Sequence, residues 1–563
     1  MNTFKRITIV FLALALISTF SINTAFAGYG HGHGKKAKNV IVLIPDGCSQ
    51  SIQTLTRWYK GERLTVDDIQ VGVVKHEMAN SVITGSAAAA TAFSTGYKTT
   101  VRFLSVGPRE DDVLSTYQLP EGETWDTFSY KPLATVMEGA NLKGMATGLV
   151  STSRFTHATP AAWACHSDDR GKASTEISEH MVYNEIDLIF GGGERNLDPG
   201  YRPDGEDLRQ VLTDRGYEIV TTKNGMDGLS ILPVFGMFAW SHMDAEIDRP
   251  IYNPTEPSLA DMTAKAIDLL SQDRKGFLLM VEGSQVDWAG HNNDPIYMVT
   301  DFIEFDEAVK VALDFAKADG NTLVLAYPDH NTGGMDIGNR AYNSAYTGLT
   351  VEALLDPLRG MTVTAGSVAE AIGNDDSDAN MIAQIATLWG ITIDPRECQE
   401  IRDMAAGDAG SMSYALARVI SKNHTAIGWT SHGHNAEDVP LWAYGPGAPK
   451  GLLDNTELAE TVADALNLNM KRIQNRLFVD LDDVFGVDGW DLDETTDPLN
   501  PVAKISQSGA SAELPCSKDL LIITKNGNTK SYNLEGLVVY AENTGRVYVP
   551  SEAVKIMKKY GIR

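Results

Sequence analysis

The feature that most constrains this chain is a short run, Asn39-Val40-Ile41-Val42-Leu43-Ile44, apolar after its first residue and halted by Pro45-Asp46-Gly47. A strand apolar on both faces must be covered on both faces, the situation of a parallel strand inside an α/β sheet. Similar runs recur at Gly144–Val150, Gly276–Val281 and Thr322–Tyr327, each after a helical-looking stretch, and Leu441-Trp442-Ala443-Tyr444 reads as one more. This alternation predicts a doubly wound, mostly parallel central sheet with helices on both faces.

The residues just beyond the runs matter more. Asp46 comes after the first, Glu282 and Asp287 after the third, and Asp329-His330 after the fourth. Parallel strands bring their carboxyl ends to one edge, where open α/β sheets place their sites. One acid at a strand end is ordinarily a turn or cap residue. Four acids and several histidines converging on one edge point to a site.

Lys5 and Arg6, an apolar run to Ile17 and the ending Ala25-Phe26-Ala27 have the pattern of a secretory signal at 1–27, with an uncleaved anchor as the rival reading. Export to a periplasm or the medium is expected, with no membrane anchor after cleavage and a Gly/His/Lys-rich tail at 28–38. The chain carries 74 acidic against 47 basic residues, a net charge of −27, which disfavours nucleic acid and anionic membranes as partners. An anionic substrate would need strong local positive charge, which metal ions supply. Cys48, Cys165, Cys398 and Cys516 permit three disulfide pairings, and their spacing selects none.

The main domain is expected over 39–482, with a helical insertion subdomain at about 339–423 lying over the site edge. An acidic connection at 483–501 leads to a small α+β appendage at 502–563. The appendage carries a hairpin signal at Asn526-Gly527-Asn528 and a terminal helix, Ser551 to Tyr560.

In VEGSQVDWAGH, Asp287 and His291 are four residues apart, on one face of a helical turn. YPDHNTGGM adds Asp329 and His330, and WTSHGHNAEDVP adds His432 and His434. Carboxylates and imidazoles without thiolate suit zinc at open, catalytic sites. In TGSAAAATAF, Ser86 precedes an alanine run, so it reads either as a helix cap or as a nucleophile at a helix N-terminus, where an anion is favoured.

Taken in order, IVLIPDG, TGSAAAATAFSTG, THATPA with Arg170 downstream, VEGSQVDWAGH, FDEAV, the Asp-His pair and HNAEDVPLWAYGPG resemble the metal-dependent alkaline phosphatases. The resemblance implies an exported hydrolase of phosphate monoesters acting through a phosphoserine at Ser86, with two zinc ions and one magnesium. It implies Asp287, His291 and His434 around one zinc, and Asp46, Asp329 and His330 around the other. Asp46 would also bridge to magnesium, completed by Thr159 and Glu282, and Arg170 would fork onto two phosphate oxygens. His432 is expected behind His434 or simply at the surface. Insertions before the last histidine form a crown at a dimer interface in this family, so a homodimer is one expectation.

The sequence also departs from the family. Gly85 stands where an aspartate usually orients the arginine, which leaves Arg170 without that partner. His157 and Trp288 sit near the third metal at positions that vary, and neither is expected to bind the ion tightly. A phosphodiesterase or nucleotide pyrophosphatase of the same superfamily is the nearest alternative, and a non-catalytic, phosphate-binding exported protein the next. Ser86, Arg170, Thr159 and Glu282 together favour the monoesterase.

Overall fold

The computed structural model describes residues 36–342, 346–407 and 410–563; the signal read at 1–27 and the tail as far as residue 35 lie outside them. Ten strands form the central sheet. In chain order they are β1 (Asn39–Pro45), β2 (Gln70–Lys75), β3 (Ala146–Arg154), β4 (Leu188–Gly192) and β5 (Glu218–Val220). β6 (Val234–Met237), β7 (Phe277–Gly283), β8 (Thr322–Ala326), β9 (Val439–Tyr444) and β10 (Gly451–Asp454) complete it. Across the sheet the order is β10-β2-β9-β8-β1-β7-β3-β4-β6-β5.

The first apolar run is therefore the central strand, with Val40 opposite Leu278 of β7 and Leu323 of β8. Its side chains alternate between two cores: Ile41 and Leu43 join one apolar cluster, Val40, Val42 and Ile44 the other. Strand β9 runs against its neighbours β8 and β2, so the sheet is mixed. A buried apolar run does not encode its direction, and the mostly parallel sheet takes one antiparallel strand here.

The insertion consists of helices Val351–Arg359, Ala365–Ile372, Asp378–Trp389, Pro395–Ala406 and Met412–His424. Leu355, Ile385 and Trp389 belong to the same apolar cluster as Ile41 and Leu43, so these helices extend the core of one sheet face. The long helix Pro295–Asp319 crosses that face, capped by the Asp294 carboxylate, which accepts from the Tyr297 amide. Within it Asp306, of the FDEAV motif, is buried and accepts from the amides of Thr65 and Val66 at 3.0 Å each. That motif thus ties the helix to the loop before β2.

The appendage has its own apolar core, built around Ala503, Leu514, Leu521, Val547 and Met557. Its five-stranded antiparallel sheet includes Asp491–Asp493, paired with Val502–Gln507, and Val479–Asp480 pairs with Arg546–Val549. The acidic stretch read as a connection is therefore partly built into the appendage: Leu481–Phe485 is helical and Asp491–Asp493 an edge strand. Pairing with a neighbour outweighs the low strand propensity of aspartate there. The Asn526-Gly527 turn, φ 51° and 78°, and the helix Ser551–Tyr560 stand where the sequence places them. Arg215–Asp519 at 2.9 Å and Lys518–Glu206 at 2.7 Å pin the appendage to the sheet domain. All four cysteines are buried as free thiols.

Candidate active site

The carboxyl ends of β1, β7 and β8 deliver Asp46, Glu282 and Asp329 to one place, each 0% exposed. Gly47 makes the turn after Asp46 at φ 74°, and a Cβ there would lie 2.6 Å from Asp287 Cα. Only glycine permits this approach, which sets the turn against the helix Gln285–Asn292. That helix carries Asp287 and His291 on one face, as the four-residue spacing predicts.

Three groups of ligand-type atoms converge: Asp287, His330 and His434; Asp46, Asp329 and His330; and Asp46, His157 and Glu282. His330 Nε2 lies 3.1 Å from Asp329 and 3.6 Å from Asp46, and its ring stacks on His434 at 3.6 Å between centroids. His434 Nε2 is 3.6 Å from Asp287 and 3.3 Å from His291 Nε2. Second contacts fix the imidazoles: His434 Nδ1 meets the Thr84 carbonyl at 2.9 Å, His330 Nδ1 the Thr332 hydroxyl at 3.2 Å, and His291 Nδ1 the His432 carbonyl at 2.6 Å. His432 thus acts through its backbone, and on His291, not His434. Its exposed ring rests beside Tyr414.

The charges do not balance. Asp46 is pushed far above the carboxylate range by burial and then by Asp329, Asp287 and Glu282. Glu282 rises to about 7, chiefly through burial. Burial also opposes the charge on Asp329, yet the His330 imidazole and the Gly47 amide hold its carboxyl below the usual range. His434 falls to about 4 through burial and the neighbouring His330. One oxygen each of Asp46 and Glu282 has no hydrogen-bond partner, at about 1–3 kcal/mol for each such group. Divalent cations resolve both problems, so this donor set fits metal ions.

Ser86 is the first residue of the helix Ser86–Thr95, and Gly85 is its N-cap. The Thr84 hydroxyl points back to the Gly85 carbonyl and caps nothing. Free of a capping role, the Ser86 hydroxyl lies 3.4 Å from His330 Nε2. The alanines behind it, 2% exposed or less, let this helix sit tightly beneath the site.

The Arg170 guanidinium donates to His157 Nε2 at 2.9 Å. His157 thus supplies the orienting contact that Gly85 withholds. It also joins the Asp46–Glu282 group, where the sequence gives it no strong ligand role. The Thr159 hydroxyl is 3.5 Å from Asp46, and Ser153, which no sequence motif marks, donates to Glu282 at 3.2 Å. Trp288 is edge-on to His157 at 5.7 Å and to His242 at 4.5 Å, a wall and not a ligand. His242 and Arg154, joined at 3.0 Å, likewise escape a reading of the sequence. Arg154 ends β3 as Asp46 and Glu282 end their strands, and that position is the signal by which it could be found.

The family model described as alkaline phosphatase matches residues 37–468, most of the chain and every residue of this site. The chain belongs to the alkaline phosphatase family. It is a metal-dependent phosphoric monoester hydrolase. It is similar to alkaline phosphatase 3 of Bacillus subtilis, 34% identical over 77% of this chain and 90% of that protein. The Thermus thermophilus alkaline phosphatase structure covers 77% of this chain and 92% of its own at 26% identity and TM-score 0.67. A histidine-to-aspartate mutant of the enzyme from the Antarctic bacterium TAB5, described with Mg bound in its M3 site, covers 77% and 99% at 26% identity and TM-score 0.54. The appendage lies beyond the family match.

Proposed function

We propose that this alkaline phosphatase transfers the phosphoryl group of a monoester to Ser86 and then to water, with two zinc ions and one magnesium bound among these converging donors and their neighbours His291 and Thr159. The observation that carries the reading is the approach of the Ser86 hydroxyl to His330 at 3.4 Å beside buried carboxylates with unpartnered oxygens. Asp287, His291 and His434 would hold one zinc, and Asp46, Asp329 and His330 the other. Asp46, Glu282 and Thr159 would hold magnesium, with His157 beside them. Bound, these ions neutralise the buried acids, make the serine a better nucleophile and stabilise the oxygens entering and leaving phosphorus.

The protein's own part is placement. The N-terminus of the Ser86 helix offers free amides to an anion. Arg170, held by His157, offers two parallel N–H groups to non-bridging phosphate oxygens. Burial of Ser86, 3% exposed, keeps bulk water from the attacking hydroxyl. The signal-like leader supports export, and the position of the insertion supports a homodimer.

A chromogenic phosphate monoester and a diester, assayed at alkaline pH before and after chelation and metal return, test this reading. Monoester turnover lost on chelation, restored by zinc with magnesium and abolished in Ser86→Ala is expected. Equal turnover of the diester would move the enzyme to the phosphodiesterases, and no turnover of either would leave a phosphate-binding protein.

A further inference from the structure

Among the described residues, three arginines along the site edge form no ion pair with an acid, although Arg170 feels the charges of Asp46, Asp287 and Glu282 from farther off. Arginines flanking them are tied: Arg102 to Asp169, Arg202 to Glu179 and Arg209 to Glu194. Among the described residues, no carboxylate forms an ion pair with Arg154, Arg170 or Arg195. Among the described residues the Arg154 and Arg170 guanidiniums hydrogen-bond to histidines, His242 at 3.0 Å and His157 at 2.9 Å, and those two rings meet edge-on at 5.6 Å between centroids. The Nε groups of Arg154 and Arg195 are buried without a partner. Burial and then the positive charges of Arg195 and Arg170 draw Arg154 down to about 10. Gathering like charge this way is costly unless an anion comes to it.

The topology explains the gathering. Arg154 closes β3, the Gly193 turn comes after β4, and Ala239–His242 come after β6, three neighbouring strands ending at the same edge as the metal donors. A Cβ on Gly193 would come within 2.9 Å of Arg154 Cβ, so the loop bearing Arg195 lies directly against Arg154. The Arg195 amide donates to the Trp240 carbonyl at 3.1 Å, and its guanidinium lies over the Tyr201 ring at 5.0 Å. Backbone and ring together preorganise a cation beside Arg154.

We propose that Arg154 and Arg195 form a second anion subsite next to Arg170, which selects substrates whose terminal phosphoryl group is joined through an anhydride oxygen to a second phosphate, as in a nucleoside diphosphate. The subsite rests on the monoesterase reading, because Arg170 and Ser86 must take the terminal phosphoryl group for the leaving group to reach it. Ser86 Oγ then forms its bond to the terminal phosphorus as the anhydride P–O bond breaks, the serine proton leaving with the nucleoside monophosphate; water next breaks the Ser86 O–P bond, giving inorganic phosphate and returning a proton to the serine.

The test compares ADP with AMP as substrates of the metal-loaded enzyme, wild type against Arg195→Gln and Arg154→Gln. Arg195 is half-exposed, so its variant perturbs the subsite without opening the core. The wild type is expected to favour ADP in kcat/KM. Each variant should lower the ADP-to-AMP ratio about tenfold, mainly through KM for ADP, since each removes a charge-assisted hydrogen-bond donor from the second phosphate. Added salt should lower the ratio in the wild type more than in Arg195→Gln. A ratio unchanged in both variants, or equal losses on both substrates, overturns the subsite. No turnover of AMP by the wild type overturns the monoesterase reading as well.

Discussion

Glu282 offers the sharpest energetic prediction. It is fully buried, and in the metal-free protein its carboxyl titrates near 7, against an ordinary value of 4.5, chiefly through burial. A raised carboxyl favours the folded state only when protonated. Its cost is therefore absent at low pH, develops as pH rises through 4.5 to 7, and is complete above 7. At about 1.4 kcal/mol per pH unit the full cost is about 3 kcal/mol. After chelation, Glu282→Gln should then be more stable than wild type by about 3 kcal/mol at about pH 8, and by less than about 1 kcal/mol at about pH 5. Loading with metal should reverse the order at the higher pH, because the carboxylate becomes a ligand that glutamine replaces poorly. Denaturant unfolding of both proteins, chelated and loaded, at the two pH values measures this. A chelated pair with equal stability at the higher pH, or a loaded variant still more stable than wild type, would refute the reasoning.

Individual contacts give further expected outcomes. Arg170→Lys should lower kcat/KM about 100-fold and weaken inhibition by inorganic phosphate, because an ammonium cannot reproduce the fork. Gly85→Asp should tighten phosphate inhibition while the protein stays folded, since a Cβ there meets nothing nearer than His434 Cε1 at 3.9 Å; an unchanged inhibition constant would show that His157 alone suffices for Arg170. Asp306→Ala should cost about 2–5 kcal/mol in unfolding free energy by orphaning the amides of Thr65 and Val66, with KM unchanged.

The donor set is legible in the sequence because strand ends are. A buried run closed by an acid places that acid at the sheet edge, which locates Asp46, Glu282 and Asp329. The Asp287–His291 pair comes from helical periodicity alone. The contacts that escape depend on side chains meeting across loops: the Arg170–His157 contact joins two segments after β3, and neither residue advertises the other. Arg154 and His242 meet only because β3, β4 and β6 are neighbours in the sheet, which local pattern does not reveal. The direction of β9 and the strand within the acidic stretch are illegible because pairing partners, not the residues themselves, decide both. Ser86 reads as a cap or a nucleophile by residue type, but the helix starts at Ser86 itself and leaves Gly85 in the cap position.

The central claim is that Ser86 carries the phosphoryl group. The direct measurement is mass spectrometry of the metal-loaded enzyme, quenched in acid after brief incubation with a monoester or with inorganic phosphate. The account predicts one added phosphoryl group, located on the peptide bearing Ser86 and absent from Ser86→Ala and from the chelated enzyme. Phosphate on another residue, or an active Ser86→Ala enzyme with no covalent species, would contradict it.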